Sequence, residues 1–259
     1  MASIDLNCDL GESFGRYTSG EDAALLRVVT SANIACGLHA GDPVVMAQTV
    51  AAAVREGVAI GAHPGYPDLQ GFGRRKMELA PDELEAFLLY QIGALAAFTR
   101  AAGASLVHVK LHGALYNTAA GDAALAEATV RAVRRFDPGL ILVTLPGSIL
   151  AQAGAAAGLR VAGEAFADRA YQPDGTLVPR SRPGAVIHDA AVVTARAIQM
   201  ATRGAVTAID GRTVPLAVET ICVHGDTPGA AGLAASLRAA LEAAGVTPAS
   251  LVGRKAQRK

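Results

Sequence analysis

The sequence predicts one α/β domain, a single seven-stranded (β/α) barrel of TIM-like type, and three observations point there. Strand-like and helix-like hydrophobic periods alternate seven times along the 259 residues. Each strand is followed by enough chain for a helical crossover, which pairs successive strands in parallel. Several strands also carry polar residues on one alternate face, which a closed barrel wrapped by helices turns inward. An open, doubly wound sheet is the alternative fold.

The first strand, 3–9, alternates Ile4, Leu6 and Cys8 with Asp5, Asn7 and Asp9. A helix at 21–29 leads to a strand at 31–37, and Asp42-Pro43 opens a helix at 43–56 that Gly57 stops. The third strand, 58–63, ends on His63, and Ala80-Pro81 starts a helix at 81–102 that runs to Gly103. Strands at 105–112, 139–145 and 160–168 alternate with helices at 122–135 and 147–157. The inserted loop 169–188 is rich in Pro, Gly and Arg and too long for an ordinary connection, so it is read as a lid. A helix at 189–203 follows, closed by Gly204, then a hairpin at 205–216 around Asp210-Gly211. A strand at 217–224 and a helix at 229–244 complete the domain, residues 1–252, and 253–259 reads as a basic disordered tail.

Lys plus Arg and Asp plus Glu are both 23, so no overall field draws nucleic acid or an anionic membrane. Apolar runs break before bilayer-spanning length, and no basic segment leads into an apolar leader. Cys8, Cys36 and Cys222 are far apart and each lies in or ends a strand-like run. They read as buried thiols in a reducing compartment, and the expected location is cytoplasmic.

Polar residues recur where a barrel places its site. Asp5, Asn7 and Asp9 share one face, as do His108, Lys110 and His112, Glu164 and Asp168, and Cys222, His224 and Asp226. One buried polar group is usually a satisfied core residue, but four strands doing the same would desolvate many ionisable groups at several kcal/mol each. The loops "NCDLGESFG", "SANIACGLHAGDP", "GAHPGYPDLQGFGRR" and "KLHGALYN" add glycine, amide, acid and imidazole just past apolar runs. His188 instead reads as the neighbour of a helix cap, Asp189.

Such groups suit hydrolysis of a small amide, which needs proton transfer, oxyanion donors and cations for substrate charge. The catalytic candidates are Asp9, Glu12, His63, Lys110 and His112, with acid and base unassigned among them. Candidates for holding substrate or phosphate are Asn7, Asn33, His39, Arg74, Tyr116, Asn117, Glu164, Arg169, Arg180, His224 and Asp226. Replacing Lys110 by Met is expected to abolish turnover and leave the fold intact. Asp9, His39 and His63 also form a candidate divalent-metal set, although no HExxH spacing accompanies them. There is no G-x-S-x-G elbow, and Ser148 reads as a helix entry. There is no GxxxxGK[ST] loop either, so a bound nucleotide needs another loop or a partner protein. Two rivals remain: a stand-alone, metal-dependent deacetylase or hydrolase of a carbohydrate-type amide, and a non-catalytic scaffold. The 4% aromatic content counts against a sugar cleft.

From about Ile4 to Val252 the chain resembles the LamB/YcsF family, through "DLNCDLGESFG", "SANIACGLHAGDP", "GAHPGYPDLQGFGRR", "VKLHGALYN", "EAFADRAYQPDGTLVPRSRPGAVIHD" and "ICVHGDTP" in that order. The resemblance implies a barrel related to those of glycoside hydrolases and polysaccharide deacetylases. It also implies ATP-dependent ring opening of 5-oxo-L-proline to L-glutamate, with ADP and phosphate as co-products. ATP and Mg2+ are the implied cofactors and PxpB and PxpC the implied partner subunits.

Overall fold

The computed structural model describes residues 2–223 and 229–252. Six strands arrive in chain order: β1 (Ala2–Leu10), β2 (Ser31–Ala35), β3 (Ala59–His63), β4 (Leu106–Lys110), β5 (Ile141–Thr144) and β6 (Arg160–Phe166). Each pairs in parallel with the next. After a short antiparallel hairpin of β7 (Ala205–Thr207) and β8 (Thr213–Pro215), β9 (Thr220–Val223) pairs with both β6 and β1. That double pairing closes a seven-stranded parallel barrel and excludes the open sheet. A short β10 (Val246–Pro248) adds to the N-terminal end of β1 at Ala2–Ile4.

The alternation of β1 decides what lies inside. Leu6, Cys8 and Leu10 face outward into the layer between barrel and helices, together with Ile34, Ala62, Val109 and Ile221 from other strands. The helices are α1 (Asp22–Leu25), α2 (Pro43–Glu56), α3 (Pro81–Ala101), α4 (Gly113–Gly121), α5 (Ala123–Phe136), α6 (Ile149–Ala156), α7 (Ala190–Arg203) and α8 (Ala230–Ala243). Leu84, Leu88, Ile92 and Leu95 of α3 are buried to 1% or less, each contributing about 1.5–3 kcal/mol of apolar burial. The α3–α5 contact is fastened by Glu85, which accepts from Arg131 Nε at 2.9 Å and Arg135 Nη1 at 2.7 Å.

The capping signals act as the sequence implies. Asp42, Ser148 and Asp189 accept from the first-turn N–H groups of α2, α6 and α7. Gly57 and Gly204 end α2 and α7 in the left-handed conformation. Three expectations are corrected. The helix expected at 21–29 is only α1, because the β-branched run Val28-Val29-Thr30 leaves the helix and the Thr30 hydroxyl donates to Asp5 Oδ1. The helix α4 was not anticipated: it starts on glycine with no side-chain cap. The sixth strand stops at Phe166, whose N–H goes to the Tyr171 hydroxyl, so Asp168 sits in a turn rather than on the strand face beside Glu164. The expected tail, 253–259, lies outside the described residues.

Candidate active site

The barrel interior is a directed chain of polar side chains. Asp5 Oδ1 accepts from the hydroxyls of Thr30 and Ser31, and Oδ2 from Thr220. Thr220 in turn accepts from Asn7 Nδ2 at 2.6 Å. Asn33 donates its amide to Asn7 Oδ1 at 2.7 Å and Asp9 Oδ1 at 2.8 Å. Its own oxygen lies 2.7 Å from His108 Nε2. Opposite that ring, β3 carries Gly61, where a Cβ would lie 2.1 Å from His108 Nε2, so only glycine leaves room for it. Burial and the Lys110 charge push His108 down to about 3, so the ring is neutral.

Lys110, at the end of β4 and 3% exposed, is the hub at the top of this chain. Its ammonium lies 2.9 Å from Asp9 Oδ1, 3.3 Å from Asn7 Oδ1 and 3.2 Å from Cys222 Sγ. It also forms an ion pair with Glu164 Oε1 at 2.8 Å. That last contact lacks hydrogen-bond directionality, and neither Glu164 oxygen has a directed donor. Burial works against the ammonium, but Asp9, Cys222 and Glu164 hold Lys110 well above its usual range. Burial likewise works against ionised Asp9, yet His63 and Lys110 hold its carboxyl well below the ordinary value.

Above the hub, three imidazoles and a carboxylate converge from the ends of the first four strands. Glu12, His39, His63 and His112 place their ligand-type atoms within 4.8 Å of one another. His39 and His112 stack with ring centroids 3.8 Å apart, and His63 meets both edge-on. His63 Nδ1 lies 2.8 Å from the Lys110 carbonyl, and His112 Nε2 lies 2.8 Å from the Phe72 carbonyl. Their other nitrogens, His63 Nε2 and His112 Nδ1, face each other at 3.0 Å. Asp9 Oδ2 is 3.3 Å from His63 Nε2, and Glu12 Oε1 is 3.7 Å from His112 Nδ1. Both ring nitrogens of fully buried His39 have no hydrogen-bond partner. Burial, with His112 and His63 adding, holds His39 well below its usual range. Burial and then His63 take His112 down to about 3.

A cavity of about 660 Å³ opens over this cluster. Asp9, His63, Lys110 and His112 line it, with Arg74, Tyr116, Asn117, Arg169 and Arg180 along its walls. The insertion contributes a wall through Asp174–Arg180. Arg169 is largely committed to the loop itself, donating to the carbonyls of Val178 and Ala185. Asn117 Nδ2 likewise donates to the Gly113 carbonyl. Arg74 lies over the Phe72 ring, 4.9 Å from its centroid. Asn7 and Asn33 lie in the hydrogen-bonded interior beneath the hub, and Glu164 is held there by its ion pair with Lys110. His224 and Asp226 lie outside the described residues.

The structure brings His39 and His63 together. It puts Glu12 and His112 beside them and gives Asp9 to Lys110, Asn33 and His63. Sequence reasoning missed Phe72, whose carbonyl fixes His112; it has φ 55°, and its position between Gly71 and Gly73 is the one signal that could have found it. The cavity walls at Phe166 and Pro146–Ser148 carried no chemical signature.

The LamB/YcsF family model matches residues 4–256. The chain belongs to the LamB/YcsF family. A relative from Methylococcus capsulatus, named as a subunit of 5-oxoprolinase, is 61% identical over 251 residues, covering 97% of this chain and 96% of that one. The crystal structure of a lactam utilization protein from Thermus thermophilus matches this LamB/YcsF chain with TM-score 0.92 and 48% identity, over 96% of this chain and 100% of that one. The catalytic domain of a peptidoglycan N-acetylglucosamine deacetylase from Eubacterium rectale matches with TM-score 0.50 and 11% identity, over 100% of this chain and 93% of that one; this is a likeness of fold alone. Among the described residues no helix is long and apolar enough to cross a membrane.

Proposed function

We propose that the chain is the PxpA-type component of an ATP-dependent 5-oxoprolinase, which opens 5-oxo-L-proline to L-glutamate and releases ADP and phosphate together with PxpB and PxpC. The observation that carries this reading is the 61% identity, across 97% of the chain, to a relative named as a subunit of 5-oxoprolinase. The cavity agrees with it. A five-membered lactam is a poor electrophile, and moving a phosphoryl group from ATP to its amide oxygen makes the ring carbon attackable. Water then adds at that carbon, the C–N bond breaks with the nitrogen taking a proton, and a second water releases phosphate from the acyl phosphate.

The residues fit those demands. The Lys110 ammonium, fixed by two carboxylates at the cavity floor, faces negative charge developing on oxygen. Arg74 and Arg180 on the walls suit the substrate carboxylate or phosphate oxygens. Asp9 and Glu12 are the carboxylates placed to take a proton from water or to hold Mg2+, and the facing nitrogens of His63 and His112 are the imidazole route for a proton. The volume exceeds what one small ring requires and leaves room for phosphate groups. Three free, buried cysteines fit work in the reducing cytoplasm.

The test is reconstitution. The purified chain is mixed with PxpB, PxpC, ATP, Mg2+ and 5-oxoproline, and glutamate and ADP are measured with each component omitted in turn. Coupled formation of both products, lost on omission of this chain, is expected; products that do not depend on it would sink the reading.

A further inference from the structure

We propose that Glu12, His39, His63 and His112 form a binding site for one divalent cation of the Zn2+ type. Their placement supports this first: each comes from the end of a different, adjacent strand, and all four ligand-type atoms lie within 4.8 Å of one another. An ion with ligands at about 2.0–2.1 Å in tetrahedral array spaces those ligands roughly 3.4 Å apart. The observed separations of 3.0 Å between His63 Nε2 and His112 Nδ1, and 3.7 Å between His112 Nδ1 and Glu12 Oε1, bracket that value.

Hydrogen bonding supports it independently. A carbonyl oxygen only accepts, so His63 Nδ1 facing the Lys110 carbonyl and His112 Nε2 facing the Phe72 carbonyl must each carry the ring proton. The opposite nitrogens, His63 Nε2 and His112 Nδ1, therefore point lone pairs at each other across 3.0 Å. Such a pair calls for a cation, either a proton or a metal. His39 decides between them, because a proton shared by His63 and His112 does nothing for a buried ring with two unpartnered nitrogens. One metal ion serves all three rings and the carboxylate. Ligating histidines commonly donate their other nitrogen to a carbonyl, which is the arrangement here. The packing is also specific: a Cβ at Gly65 would lie 2.9 Å from His39 Nδ1, and one at Gly73 would lie 2.8 Å from the His112 ring, so two glycines let the loops clasp the rings.

Three imidazoles and one carboxylate favour Zn2+ or Co2+ over Mg2+ or Ca2+, which prefer oxygen alone. Since His63 and His112 line the cavity, the ion would polarise a substrate oxygen or activate water. Protons would then pass through Asp9 rather than the imidazole pair. This role builds on the hydrolase reading, but the binding itself does not.

The experiment uses the full-length chain, stripped with a chelator and titrated with Co2+ in the absence of ATP and 5-oxoproline. Binding of one equivalent with visible ligand-field bands, displaced by Zn2+, is expected. His39→Asn and Glu12→Gln should each weaken Co2+ binding, His39→Asn by more than about 100-fold, with circular dichroism confirming their fold. No ligand-field bands in the wild-type chain, or unchanged affinity in both folded variants, would overturn the proposal and leave a proton between His63 and His112. Because neither substrate nor nucleotide is present, this failure is distinct from failure of the ring-opening reading.

Discussion

Replacing Lys110 by Met removes the one ammonium that separates Asp9 from Glu164 in the barrel interior. The expectation from sequence alone, loss of turnover with an intact fold, changes once the surroundings are known. Lys110 is 3% exposed, and its charge faces Asp9 Oδ1 at 2.9 Å and Glu164 Oε1 at 2.8 Å. Breaking a buried pair by deleting one partner costs about 3–5 kcal/mol, because the other charge stays buried without compensation. At roughly 2–4 °C per kcal/mol for a chain of this size, the melting temperature should fall by about 6–20 °C at neutral pH. The pH dependence gives a second signature. In the wild type, Asp9 is held well below its ordinary value, so its pairing stabilises fully above about pH 4 and is lost as the pH falls through the lowered value. In the Met variant Asp9 loses one of the two charges that hold it down while His63 remains, so its proton affinity rises and the variant loses less stability on acidification than the wild type does. The two stability curves therefore converge as the pH falls. Adding Asp9→Asn to the variant should recover part of the loss, since it removes the orphaned charge. Thermal melts of the three proteins between about pH 7 and pH 4 test this. A Met variant within a degree or two of wild type at neutral pH, or curves that diverge on acidification, would refute the ion-pair reasoning.

Four shorter predictions concern other parts of the frame. Asn33→Asp keeps the shape but loses both amide donors and sets a carboxylate against Asp9, so urea denaturation should show a loss of about 3 kcal/mol at neutral pH that shrinks on acidification. Gly61→Ala drives a methyl group into the His108 ring and should cost about 1–3 kcal/mol by the same assay, whereas Gly121→Ala, with nothing within 4 Å, should be close to neutral. Arg169→Ala removes the guanidinium that ties Val178 and Ala185 together, so trypsin should cut after exposed Arg180 about tenfold faster, as read by a cleavage time course. Glu85 is held below 4.5 by Arg135 and Arg131, so its contribution is full above that value and lost as the pH falls through the lowered one; melts of Glu85→Gln should differ from wild type most above pH 4.5 and least in acid.

What could be read from the sequence was set by local chemistry. Asp42-Pro43, Ser148 and Asp189 mark helix starts because a side-chain oxygen two or three residues from an N–H is a local event. The inward polar faces of β1 and β4 were legible because side chains alternate along any strand. The misses were non-local. The helix α4 begins on Gly113 in a left-handed conformation and is held by the Ala114 N–H on the Gly73 carbonyl, a contact across 40 residues of chain that no short window contains. The strand β10 is three residues long and exists through its pairing with β1. Which groups gather around His39 and His63 likewise depends on how four loops fold over one another: Glu12 and His112 lie beside them, and Asp9, in contact with His63, also meets Lys110, which the sequence placed in the same site but not against that oxygen.

The direction of the interior hydrogen bonds narrows where protons can move. Asn33 donates to both Asn7 and Asp9, so its oxygen must accept from His108, which fixes that ring as the Nε2–H form. Asn7 then has its oxygen occupied by Asn33 and Lys110, and its amide goes to Thr220. With its oxygen accepting that bond, Thr220 must give its own proton to Asp5, which already accepts from Thr30 and Ser31. Each hydrogen bond from Asn33 down to Asp5 thus has one direction, and reversing any one of them would strand a buried donor or acceptor at about 1–3 kcal/mol. Freedom begins only above this layer, at Asp9 Oδ2, Glu12 and the facing nitrogens of His63 and His112. The polar interior therefore acts as a rigid footing for Asp9 and Lys110, and proton exchange with a substrate is confined to the groups at the strand ends.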